Sequence, residues 1–407
     1  MTKVSRTLAV AILLALFLAV CGSSAYAATH YYVVANNNTI PTNTVSIFEI
    51  SGTSLVPLTT VATGGSGNGG GYFAEVTQTI AQDGANTCIF AGDANTPDVA
   101  AMKLTASSPF LTVVGNYVSP DGDAAGNSGL GIIVSGGYLY ANYTGNNLIG
   151  GTVNPAIGVW KIGSGCKLSF VAHLANTSGL NGGTIDGMAV TPNGNYLVVG
   201  YGDGSVGSYA IGGGSISLIG QEIIAGNSIG AGAYAGSVAI SSNGLWAIFS
   251  DFSPSNNTQL DVAGIGSNGA LSATTTYGGT GSLGAGVDSN GIQLSPNNNF
   301  IYVVDSLSGQ ETTVSFNATT GVITYPNACL TTLNGFNTNW AFASQTAAVV
   351  SSGSGSGLYI SEAFLNGDSY IGLLQVNATT GCAKEVSGSP FEDTNSGGLE
   401  SITAFSH

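Results

Sequence analysis

Nine acidic side chains stand at the ends of short apolar runs, and their spacing is the first sign of chemistry in this 407-residue sequence. Asp93, Asp203, Asp251, Asp305 and Glu362 follow closely on such runs, while Glu75, Asp186, Asp288 and Glu400 lead into others. Carboxylates brought together raise one another's pKa unless a cation offsets the repulsion, and hard oxygen donors on loops suit calcium. A carboxylate raised in this way also suits general-base work on an ester or lactone. Asp186, Asp288 and Glu400 are the candidates for a metal, and Asp186 or Glu400 for a base. A plainer reading competes for each strand-end acid, because Asp also ends strands by capping turn amides.

Other catalytic patterns are thin. Gly226-Asn227-Ser228-Ile229-Gly230 matches G-x-S-x-G, but a nucleophile elbow needs a strand-to-helix turn, and this stretch lies between strands. Asp121-Gly122-Asp123 lacks the later acids of a calcium loop. The histidines are His30, His173 and His407, of which the first and last would meet only if the chain termini did. Tyr72, Tyr143, Tyr201, Tyr234, Phe336 and Trp340 fall near the acids. Aromatic faces beside Asn and Asp are how carbohydrate sites are built, although apolar cores consume aromatics too.

Composition narrows the partners. Lys3 and Arg6 flank an apolar run from Leu8 to Val20 that ends at Ala25-Tyr26-Ala27, the plan of a secretory leader over residues 1–27 with the mature domain at 28–407. Without the leader, four lysines set against 21 Asp and Glu leave a net charge of −17 and no arginine. Nucleic acid and anionic membranes, which need basic clusters, are excluded as partners. Phosphorylated substrates are disfavoured, which leaves a protein, a carbohydrate or another small molecule. No later run is long enough to span a bilayer. The expected location is periplasmic or extracellular, as a monomer; lipid attachment at Cys21 is the lesser alternative, because Val20 precedes it.

The elements that must position these acids repeat. Gly187-Met188-Ala189-Val190, the turn Pro192-Asn193-Gly194 and Tyr196 to Val199 recur as Ile292-Gln293-Leu294, Pro296-Asn297 and Ile301 to Val304. With 62 glycines and β-branched runs between turns, the chain is all-β. Five further copies, with second strands at Tyr31–Val34, Cys88–Ala91, Tyr138–Ala141, Leu245–Phe249 and Leu358–Ser361, give seven units of four antiparallel strands, a seven-bladed β-propeller. The first unit begins with its second strand, and one surplus strand, Leu399 to Phe405, ends the chain. Pairing the two closes the ring and removes two exposed edges. Ring geometry then gathers the nine acids on one face, with Asp186, Asp288 and Glu400 nearest the axis.

The segments MAVTPNGNYLVVG, IQLSPNNNFIYVV and YYVVANNNTIPTNTVSIFEI resemble the YVTN-type and lactonase-like seven-bladed propellers, a superfamily that includes a 6-phosphogluconolactonase. The resemblance spans the mature chain and implies the fold. It carries over no catalytic residue, since a phosphosugar lactone would call for Arg or Lys aimed at its phosphate. Lys103, Lys161, Lys167 and Lys384 fall in third strands or outer turns. The expectation is an exported binding platform with its ligand, and a calcium ion or other cation, at an acidic channel mouth. The alternative is a hydrolase of an unphosphorylated lactone or sugar derivative. Cys88–Cys166 and Cys329–Cys382 are the expected disulfides, each couple falling in adjacent units.

Overall fold

The computed structural model describes residues 30–67, 80–83, 87–105, 107–121, 130–144, 155–224, 234–252, 259–277, 289–305, 310–325, 329–333, 343–351, 357–365, 368–377, 379–394 and 401–406. Residues Tyr31–His407 form one unit. It holds seven antiparallel sheets, each built on four strands that run from the axis outwards in sequence order in every blade but the first.

Blade 1 takes its innermost strand from the far end of the chain: Ser401–Ser406, then Tyr31–Asn36, Thr44–Ser51 and Ser54–Ala62. Blade 2 is Ile80–Asp83, Cys88–Asp93, Asp98–Leu104 and Leu111–Val118; blade 3 is Leu130–Ser135, Tyr138–Tyr143, Ala156–Ile162 and Leu168–Ala175. Blade 4 runs Ile185–Val190, Tyr196–Tyr201, Ser205–Gly212 and Ser215–Ile223; blade 5 runs Tyr234–Ile240, Trp246–Phe252, Gln259–Gly264 and Thr275–Tyr277. Blade 6 has Ser289–Leu294, Phe300–Asp305, Gln310–Asn317 and Val322–Thr324, and blade 7 has Ala343–Ser351, Gly357–Leu365, Asp368–Val376 and Ala383–Glu385. Each innermost strand touches the next around the full circle, and Ser401–Ser406 lies between those of blades 7 and 2. The closing strand pairs with Tyr31–Asn36 from Tyr31 opposite Ser406 to Asn36 opposite Ser401. Leu399 and Glu400, where the sequence places its start, lie outside the described residues, and it ends one residue later than the sequence suggests.

Second strands are almost wholly buried because neighbouring blades cover both of their faces; every residue of Cys88–Asp93 is buried. Fourth strands have one outer face in solvent, and Ser54–Ala62 is mostly exposed or half-buried. The core is accordingly a set of apolar layers between blades. Phe90, Val99, Leu130, Leu139, Tyr143 and Trp160 fill the layer between blades 2 and 3, where Phe170 meets Trp160 edge-on with ring centroids 5.0 Å apart.

The turn between first and second strands is held by one recurring hydroxyl. Thr191 Oγ1 donates to Asn193 Oδ1 (2.7 Å) and accepts from the Tyr196 N–H (3.0 Å); Ser241 and Ser295 do the same with Asn243 and Trp246, and with Asn297 and Phe300. On this lower face the aromatic that opens a second strand lies against a glycine in the next blade's outer turn. The pairs are Tyr138 with Gly214, Tyr196 with Gly269, Trp246 with Gly321 and Phe300 with Gly381. Blade 2 has a disulfide in that position, from Cys88 to Cys166 of blade 3, with Cα atoms 5.5 Å apart. Cys329 is bonded to Cys382 across blades 6 and 7, with Cα atoms 5.1 Å apart.

Candidate functional site

The opposite, upper face carries the loops between second and third strands and those leading from one blade into the next. Three of the strand-end acids can be followed there, and all turn inwards. Asp93 is 0%, Asp251 1% and Asp203 5% exposed. Asp93 Oδ1 accepts from Asn43 Nδ2 (2.6 Å) and Thr63 Oγ1 (3.0 Å), both of blade 1 or the loop leaving it. Asp203 accepts from the Ser205 hydroxyl (2.5 Å) and from the N–H groups of Ser205 (3.0 Å), Asn181 (2.7 Å) and Gly183 (3.2 Å). Burial alone would raise the Asp203 carboxyl; these donors outweigh it and hold the group below the usual range.

Small residues make room for this arrangement. A Cβ at Gly65 would run into Asp93, and one at Gly179 would come within 2.5 Å of Asp203 Oδ2. The acids thus clamp the loop entering their own blade, which is the turn-capping role that competes with ligand binding for such positions. Asp305 and Glu362 lie in strands Phe300–Asp305 and Gly357–Leu365, but their side chains are outside the described residues, as are Glu75, Asp288, Glu400, Tyr72, Phe336 and Trp340.

Asp186 is different. It belongs to an innermost strand, beside the central channel, and sits on a β-bulge: Ile185 pairs with Tyr201 and Gly187 with Gly200, leaving Asp186 without a partner in the ladder. A bulge re-aims its extra side chain, here into a half-buried position at the upper end of the strand. The Thr184 hydroxyl donates to Asp186 Oδ1 (3.2 Å), and Gly202 stands so near that a Cβ there would come within 2.7 Å of Asp186 Oδ2. Burial pushes the Asp186 carboxyl up; the Thr184 bond works against this, the Asp203 charge works with it, and the result is a pKa of about 7. Two neighbouring carboxyls are therefore driven apart, one fixed as an anion and one half-ionised near neutrality.

Blades 5, 6 and 7 interrupt their innermost ladders at corresponding places, between Ala235 and Val238, Ser289 and Gly291, and Ala343 and Ala347. The residues left out of these ladders include Ser237 and Asn290. Alignment of Asp186-Gly187-Met188 with Asn290-Gly291-Ile292 carries this signal in the sequence, although only the first of the two bears an acid.

The remaining candidates lie elsewhere. Tyr143 and Tyr201 are fully buried, and Tyr201 forms a hydroxyl pair with Tyr209 (2.6 Å), so both are core residues; the Tyr234 side chain is outside the described residues. His173 stands on an outer strand with Nδ1 3.7 Å from Asp121 Oδ2. His30 is exposed, and His407, Asp123 and the Gly226–Gly230 stretch fall outside the described residues. Among the described residues, no three His, Cys, Asp or Glu side chains converge as for a metal ion. All four lysines are exposed. No helix among the described residues is long and apolar enough to cross a membrane.

No family model matches the chain, and no curated protein does. Solved structures do. A candidate 6-phosphogluconolactonase from Bacteroides fragilis aligns over 94% of this chain and 99% of its own at a TM-score of 0.66 and 12% identity. One from Bacteroides uniformis gives 93%, 99%, 0.66 and 11%, and a protein from Lactobacillus plantarum gives 73%, 81%, 0.56 and 16%. The likeness is one of fold, that of a seven-bladed β-propeller. At such identities the likeness concerns the backbone, and the chemistry must be read from this chain's own side chains.

Proposed function

We propose that the protein is an exported hydrolase of an unphosphorylated lactone, with Asp186 as its general base. The observation that carries this reading is the bulged, half-buried Asp186 beside the channel, its pKa raised to about 7 next to an anion fixed by four hydrogen bonds. A base poised near the working pH combines ionisation with proton affinity. The Asp186 carboxylate takes a proton from water as the oxygen adds to the lactone carbonyl carbon. The ring C–O bond then breaks, the ring oxygen receives that proton, and a hydroxy acid results.

Charge sets the substrate class. With no arginine beyond the leader and four exposed lysines, the chain is poor in the cationic side chains that hold a phosphate. A surface of net charge −17 admits an uncharged lactone and repels its carboxylate product. The 6-phosphogluconolactonase assignment attached to the Bacteroides structures therefore transfers here only as lactone chemistry, without the phosphate. The secretory leader and two disulfides support a location outside the cytoplasm.

The test is hydrolysis of a panel of neutral five- and six-membered aldonolactones followed by pH-stat, for the wild type and Asp186→Asn. Turnover falling about 10²- to 10⁴-fold in the variant supports the reading. No turnover by the wild type, together with calcium binding by calorimetry that Asp186→Asn abolishes, would replace it with the cation-binding platform.

A further inference from the structure

Among the carboxyl groups other than Asp203 that are shut away from solvent are Asp93 (0% exposed), Asp98 (4%), Asp251 (1%), Asp261 (0%) and Glu311 (0%). The groups that face them include the following. Asp93 is met by Asn43, Thr63 and Asp98, and Asp98 by Asp93 and Thr96. Asp261 is met by Asp251, by Thr276, whose hydroxyl donates to its Oδ1 at 2.6 Å, and by Tyr325. Glu311 is met by Tyr302 and by Thr313, which donates to Oε1 at 2.8 Å. None of these partners is a cation, and the four lysines are all exposed.

An isolated buried carboxylate is so costly that the group keeps its proton instead. Burial, then the facing Asp98, raises Asp93; burial, then the Asp251 charge, raises Asp261; burial raises Glu311 to about 8. Two buried carboxyls side by side do not both ionise, so each aspartate pair holds one proton. Three protons are therefore carried by the folded chain at neutral pH that the unfolded chain releases.

We propose that this propeller is built for an acidic medium, gaining stability as the pH falls from neutrality and keeping its fold below the pKa of an ordinary carboxyl. The sign follows from linkage. Between the unfolded pKa of about 4 and the folded range near 8 the native state binds more protons, so stability is complete below about 4 and is lost as the pH rises through about 8. Each proton changes the folding constant about tenfold per pH unit in that window, and three change it about a thousandfold.

The acid side is protected by composition. Acid denaturation draws on lost ion pairs and on the positive charge that remains when carboxylates are neutralised. Only 7% of residues are charged, and beyond the leader the cationic side chains are four lysines and three histidines. A fully protonated chain has little positive charge with which to repel itself. Asp203 opposes the trend, since its depressed pKa means its contribution fades in acid, but only below the usual carboxylate range.

Thermal unfolding of the full mature chain from about pH 3 to about pH 9 at fixed ionic strength tests this, with infrared spectroscopy of protonated carboxyl groups alongside. The expected result is a Tm that climbs as the pH is lowered from about 8 to about 4 and then holds, with a protonated-carboxyl band present at neutral pH. Glu311→Gln, neutral and nearly isosteric, should lose about a third of the pH slope. Should that variant not fold, the wild-type infrared band decides. A Tm maximum near neutrality with collapse in acid, or no protonated carboxyl at neutral pH, overturns the proposal.

Discussion

Trp246 of blade 5 closes over Gly321 of blade 6, and its indole Nε1 donates to the Ala318 carbonyl at 3.0 Å. Asn243 Nδ2 reaches the same carbonyl at 2.7 Å. Gly321 has φ +73°, where an L side chain is strained, and a Cβ there would stand 2.6 Å from the indole ring. Gly321→Ala therefore meets two penalties, left-handed strain and overpacking, which together cost about 2–4 kcal/mol. Gly52, with φ +61° and nothing within 4 Å, supplies the control. Gly52→Ala should cost about 1 kcal/mol, and chemical denaturation of the two variants should separate them clearly.

Removing the closing strand tests the ring. Ser401–Ser406 supplies the first strand of blade 1 and contacts the innermost strands of blades 7 and 2. A chain ending before it would expose two strand edges and lose the buried Ile402. The expected outcome is an aggregating protein without a cooperative melt. Adding the strand back as a peptide should restore a monomeric, cooperatively melting species, seen by size exclusion and calorimetry.

Blade number and closure were legible because each depends on residues with no substitute, the Pro/Asn/Gly turns and the unmatched strand at each end. The acids were less so. Asp93 and Asp203 look alike in the sequence whether they face solvent or a loop. What decides is the room left by Gly65, Gly179 and Gly183, residues far away along the chain. Asp98, Asp261 and Glu311 are hard to tell from surface acids in the sequence because a propeller buries both faces of its sheets, so alternation no longer marks an inward position. Asp261 between buried Leu260 and Val262 was nonetheless a visible signal.

The disulfides should be separable in their effects. Cys88–Cys166 spans 78 residues and Cys329–Cys382 spans 53, and each ties neighbouring blades. Non-reducing peptide mapping should recover both links. Replacing either pair by serine should cost about 2–4 kcal/mol, chiefly through the freedom returned to the unfolded chain. The two losses should be nearly additive, as for distant sites.

Asp203→Asn probes how Asp186 is tuned. The substitution keeps the shape of the side chain but removes the anion that helps hold the Asp186 carboxyl up, and it places an amide toward the Asn181 and Gly183 N–H groups. Stability should fall by about 1–3 kcal/mol at neutral pH. That loss should shrink on acidification, because a depressed carboxyl contributes above its unfolded pKa and ceases to contribute as the pH falls through its folded one. A purely structural role would end there. If Asp203 also sets the base, the acid limb of kcat/KM for a neutral lactone should move to lower pH, as Asp186 relaxes toward an ordinary carboxyl. A lower Tm with an unmoved acid limb would confine Asp203 to the loop it clamps.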